Sequence, residues 1–159
     1  MPSFGGLLTW RIGIALIAFF IVMILMLGDF AMFNVRMHEL MAACVDAGSS
    51  QSYWTYNPFI NQKVPVLDDN AAMNAAEATW NENVSDWGQG SWTGVEPQFS
   101  LSSIKSGTPL GDEDTITGSV QLSYSPPLLD NFLAQFGDHN GVQQTITVQE
   151  QSSAQVPTQ

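Results

Sequence analysis

Residues 12–27 read Ile-Gly-Ile-Ala-Leu-Ile-Ala-Phe-Phe-Ile-Val-Met-Ile-Leu-Met-Leu, a run with no charge and no strongly polar side chain. Apolar character resumes after Gly28 and Asp29 with Phe30, Ala31, Met32 and Phe33. A helix needs about 20 apolar residues to cross a hydrocarbon core of roughly 30 Å, and residues 12–33 supply them with Asp29 near the boundary. A cleaved signal peptide would have a shorter apolar core ending in small residues. Here the run is longer and continues into Leu27-Gly28-Asp29-Phe30, so the reading is a retained single-pass anchor. Leu40-Met41-Ala42-Ala43-Cys44 has the look of a lipoprotein box, but Arg36, His38 and Glu39 separate it from the apolar run.

The few basic residues orient the anchor. Arg11 and the terminal amine flank one end of the run, and the acidic bulk of the chain lies beyond the other. The positive-inside rule then puts residues 1–11 in the cytoplasm and the C-terminal part outside the cell membrane. The helix is expected to outrun the bilayer, because no proline occurs between Asp29 and Ala47 and the first breaker is Gly48. Phe30, Phe33, Met37, Leu40, Met41, Cys44 and Val45 recur at three- and four-residue spacing and mark one apolar face. Residues 34–49 therefore read as a stalk, in a helix of about 60 Å at 1.5 Å per residue. Its apolar stripe must be covered, either by the chain's own domain folding back or by neighbouring copies as well.

Fifteen acidic residues stand against Arg11, Arg36, Lys63 and Lys105, for a formal net charge of −11 in 159 residues. Such a surface repels phosphate backbones and excludes nucleic acid as a partner. It also repels anionic lipid head groups, which suits a domain held off the membrane. With Cys44 alone, neither an intramolecular disulfide nor a cysteine-based zinc site can form.

Residues 50–152 read as a small exposed domain, followed by a polar, peripheral tail at 153–159. Residues 50–67 carry aromatics and two prolines without a clean period, and read as an ordered loop that can include a short strand, packing Tyr53, Trp54, Tyr56 and Phe59. A second helix is predicted over 69–87, with Asp68, Asp69 and Asn70 as N-cap candidates and Met73, Ala76, Trp80, Val84 and Trp87 on its apolar face. Residues 88–94 read as a breaker. Strands are predicted over 98–105, 115–124 and 142–151, the middle one with Ile116, Gly118, Val120, Leu122 and Tyr124 on one face. Between the last two, Leu128, Leu129, Phe132, Leu133 and Phe136 suggest a helical turn or two, followed by a turn at 137–141. The fold class is α+β: a long N-terminal transmembrane and stalk helix, a second helix, and an antiparallel sheet of about three strands.

Catalytic and metal-binding motifs are missing from this pattern. His38 sits on the stalk and His139 in a Gly-Asp-His-Asn-Gly turn, neither with a local ligand or nucleophile motif. Asp112, Glu113 and Asp114 lack the spaced ligands and distal Glu of a calcium loop and read as a solvated turn. Asn83-Val84-Ser85 matches a glycosylation sequon inside a predicted helix. No cofactor and no metal are expected. Asp29 stands out, since a carboxylate at the hydrocarbon boundary needs water or a cation. It either reaches the outer interface or pairs with Arg11 of an axially displaced copy, 18 residues or about 27 Å of helix rise away.

Met26-Leu27-Gly28-Asp29-Phe30-Ala31-Met32-Phe33, running into Val35-Arg36-Met37-His38-Glu39-Leu40 and Ala42-Ala43-Cys44-Val45-Asp46-Ala47-Gly48, resembles the end of the N-terminal helix in TadE-like proteins. Asp29-Phe30 stands in the place of that family's acidic-aromatic pair, and residues 42–48 in that of its alanine-rich stretch. Val120-Gln121-Leu122-Ser123-Tyr124 before Pro126-Pro127-Leu128, and Thr145-Ile146-Thr147-Val148, are similar to its final strands. The resemblance implies a minor pilin or pseudopilin of the tight-adherence, type IV-related pilus system. Such a protein is not an enzyme; it inserts in the membrane and packs by its helix against other pilin-like subunits in a surface filament. On that basis Arg11, Asp29, Phe30, Phe33, Met37, Leu40, Met41 and Cys44 are the candidate packing residues, and Gly6 the candidate processing position. The family's Glu after that small residue is missing here, and Arg11 lies close to where an acid would stand. The rival reading is a membrane-anchored module that captures a partner protein.

Overall fold

Helix α1 runs unbroken from Phe4–Ser49. In the computed structural model of the chain it is followed by the hairpin β1 (Ser52–Asn57) and β2 (Gln62–Leu67), helix α2 (Asp69–Val84), and strands β3 (Trp92–Gly94), β4 (Gln98–Ser102), β5 (Thr115–Tyr124) and β6 (Gln144–Ser153). The structure describes residues 4–58, 60–84, 92–94, 96–102, 114–127, 131, 134 and 144–157. Leu128, Leu129, Phe132, Leu133 and Phe136, which carry the expected helical turns, the turn at 137–141 with His139, and Phe59, Trp87, Ile104 and Val142 lie outside them.

The fold is α+β, as the sequence pattern indicates. β5 is the spine of the main sheet. It pairs antiparallel with β6 along its whole length, from Thr115↔Ser153 to Tyr124↔Gln144. Its other edge is shared end to end by β4, opposite 115–119, and β3, opposite 122–124. The sheet is thus three strands wide. Three residues separate Gly94 from Gln98 where two separate Ser119 from Leu122, so one extra residue is accommodated at this edge. Pro97, which has no N–H to give a ladder, falls in the interruption. The expected breaker at 88–94 therefore ends in a strand, because a three-residue edge piece leaves no readable alternation.

Alternate residues of β5 are buried in register with the prediction: Ile116, Gly118, Val120, Leu122 and Tyr124. Across from them Ile146 and Val148 of β6 complete the inner face. This face lies on the outer half of α1, whose Met37, Leu40, Met41, Cys44 and Val45 are buried against it. The stalk stripe is covered by the chain's own domain. α2 packs along the same helix through Ala72, Ala76 and Trp80. Gly48 makes that crossing close, since a Cβ there would meet Ala72 O at 3.0 Å and Ile116 Cδ1 at 2.5 Å.

Two expectations need correcting around the helix ends. Residues 50–67 form a hairpin of two six-residue strands rather than a loop, with Trp54 opposite Pro65 and Tyr56 opposite Lys63. Asn61 takes the left-handed conformation that its turn requires (φ 54°), and Tyr56 donates to its side chain. Prolines 58 and 65 hide the period of two, and it is Leu67, at the end of β2, that enters the core. Tyr53, Trp54 and Tyr56 are accordingly exposed, not packed. The tail is also not peripheral. Beyond β6, Ala154 N–H donates to Asp114 O (2.8 Å) and Gln155 N–H to Ser49 O (3.1 Å), which caps the last turn of α1.

Candidate functional site

The candidate site is α1 itself, whose successive stretches have different surroundings. Between Thr9 and Ser49 it is long and apolar enough to cross a membrane once, and the apolar window that meets this test is not buried by the rest of the chain. Trp10, Ile14, Ile17, Phe20, Ile21, Ile24 and Leu27 all stand exposed. An apolar surface of this size, unmet by protein, makes this helix a candidate for a single membrane span.

The domain begins where the run ends. Tyr124, the last residue of β5, donates its hydroxyl to Asp29 Oδ2 at 2.8 Å. Its ring stacks on Phe33 with centroids 3.9 Å apart and planes 11° from parallel, and meets Phe30 at 6.4 Å. Asp29 thus has a partner within its own chain. Arg11 is exposed and makes no ion pair among the described residues. Burial and the Asp29 carboxylate together push the Tyr124 phenol well above its ordinary value of 10.0. The folded state therefore holds the proton more tightly than the unfolded chain. That stabilisation is complete below pH 10 and is lost as the pH rises further. Tyr124→Phe should lower stability by roughly 2 kcal/mol at pH 8, the scale of a hydrogen bond to a charged group, and should remove part of the alkaline loss. Urea unfolding of both proteins at pH 8 and pH 11 measures this.

Further along, Phe30, Phe33, Met37, Leu40, Met41 and Cys44 all face the chain's own domain. Met37, Met41 and Cys44 have no exposed surface, so these three of the candidate packing residues are taken up by the chain's own core. Burial also raises the Cys44 thiol from 9.0 to about 11. At pH 8 this leaves about a hundredfold less thiolate than in the unfolded chain, so alkylation should be slower by at least about that factor. Mass spectrometry of the alkylated protein with and without urea gives the ratio. Gly6 lies within α1, near its start.

The polar groups of the domain are engaged in holding it together. His38 Nδ1 lies 2.7 Å from Glu150 Oε1, tying the stalk to β6. Asp68 Oδ1 accepts from Ala71 N–H (3.0 Å) as the N-cap of α2. Asp114, expected in a solvated turn, is 2 % exposed and accepts the Leu67 N–H at 3.0 Å through Oδ2. It needs that burial because it joins the hairpin to the sheet. Among the described residues no group of three or more His, Cys, Asp or Glu could hold a metal ion.

Comparison with protein-family models, curated proteins and solved structures returned no match.

The contact that sequence reasoning missed is Tyr124 to Asp29, 95 residues apart. Its two halves were visible separately: a boundary carboxylate needing a partner, and a tyrosine ending the inward face of the clearest strand. The outward face of the stalk was equally legible as the complement of the buried stripe.

Proposed function

We propose that this chain is a bitopic, pilin-like structural protein of the TadE-like kind, which helps assemble a surface pilus or related secretion filament. One observation carries the reading. A single unbroken helix offers an uncovered apolar first half, and its second half is the core of a small α+β domain. A tether would need no such continuity, whereas a subunit that packs by its helix requires it. Arg11 on the short side and the acidic domain on the other favour an N-terminus in the cytoplasm. The sheet meets α1 from Asp29 onward, which favours a span made mainly of the apolar residues that precede Asp29.

The test replaces residues 12–28 with an unrelated apolar helix of equal length and measures recovery of the protein in sheared surface filaments from its native cells. The wild type should appear in the filament fraction and the replacement should remain in the membrane. Equal recovery of both, or a wild type that never leaves the membrane, overturns the proposal. The second reading, a membrane-anchored module that captures a partner protein, is favoured by the exposed aromatic hairpin of Tyr53, Trp54 and Tyr56. Loss of partner binding on their replacement by serine, with the anchor exchange tolerated, would establish it.

A further inference from the structure

The face of α1 opposite the domain is uncovered beyond the apolar span. Met32 and Val35 are 58 % and 55 % exposed, although they lie past the residues where the sheet first meets the helix. With Glu39 and Ala42 they follow one another at spacings of three and four, the period that keeps a seam facing a partner helix. The same line continues without a break into Gly28 and the exposed residues of the span. Arg36 flanks it and is the only Lys or Arg on α1 beyond Arg11. Arg36 and Glu39 are both exposed, and neither makes an ion pair among the described residues.

We infer that this seam is the docking surface for a second copy of the chain, lying parallel and shifted along the helix axis, with Arg36 of one copy beside Glu39 of the next. The inference rests on the proposed structural role and names its contact. Charge decides both partner and geometry. A copy supplies an acidic group for the arginine and an arginine for the acidic group. Two-fold pairing would instead lay Glu39 on Glu39 in a chain that already carries −11, and like charges meeting across an interface oppose association. A shift of three residues, about 4.5 Å, brings Arg36 level with Glu39 and Met32 level with Val35 of the neighbour. A contact between different residues on the two copies does not close on itself, so it propagates. Ala42 and Ala43, both exposed, let the two backbones approach.

The test uses the full chain in phosphatidylcholine vesicles, oxidised and run on a non-reducing gel. Met32→Cys combined with Val35→Cys in one chain should give a ladder of oligomers, whereas either change alone should give little dimer, and the wild type none because Cys44 is buried. Adding Arg36→Glu should reduce the ladder about fivefold, and adding Glu39→Arg to that variant should restore it. The inference is overturned if the double-cysteine chain stays monomeric, if the single variants dimerise as well as the double one laddered, or if charge reversal changes nothing. These outcomes are separate from the filament test. A chain that enters filaments but forms no ladder refutes the seam alone, and a chain that ladders but never enters filaments refutes the filament role alone.

Discussion

Gly118→Val should destabilise the domain by about 3 kcal/mol, the upper end of what overfilling a packed core costs. A Cβ at Gly118 would stand 2.5 Å from Met41 Sδ and 2.9 Å from both Phe99 Cε1 and Val45 Cγ1. Those atoms belong to the helix and to the neighbouring strand, so neither can move without disturbing the other's packing. Glycine in the middle of a ten-residue strand is otherwise unfavourable, and here it marks the closest approach of α1 to the sheet. For a domain of this size the melting midpoint, followed by circular dichroism in detergent, should fall by roughly 15 °C. Gly118→Ala should show a smaller drop in the same direction.

Met41→Ala should have a comparable effect for the opposite reason. Met41 is fully buried, and truncating a buried methionine costs roughly 2–5 kcal/mol through lost contacts and the cavity left behind. The two changes meet at one spot, so they should not be additive. The double variant should be more stable than the sum of the single losses implies, because the space vacated by the Met41 side chain takes up part of the valine. Recovery should stay partial, since Phe99 and Val45 still crowd the new Cβ. Full additivity would mean that Gly118 is not where the helix rests on the sheet.

The parts of this fold that could be read from sequence are those where one strong periodic signal acts alone. The continuous helix followed from an apolar run and an uninterrupted stalk. The inward face of β5 followed from five alternating residues, and the structure buries all of them. Helix α2 begins at Asp69 as its cap chemistry indicates. Where side chains are placed by distant partners, the reading fell short. The hairpin escaped because its aromatics are exposed and its prolines mask the alternation. Asp114 looked like any turn carboxylate until the Leu67 N–H was seen to need it. The apolar stripe of α1 showed that something must cover it without showing what. Met37 and Cys44 are as suitable for a neighbour's helix as for the sheet that buries them.

The stacking of Tyr124 on Phe33 and its bond to Asp29 leave no slack between the span and the sheet. Any rotation of the span about its own axis therefore turns the sheet through the same angle. Were such chains arrayed as the proposed filament subunits, the bearing of each domain would follow from the rotation of its apolar helix.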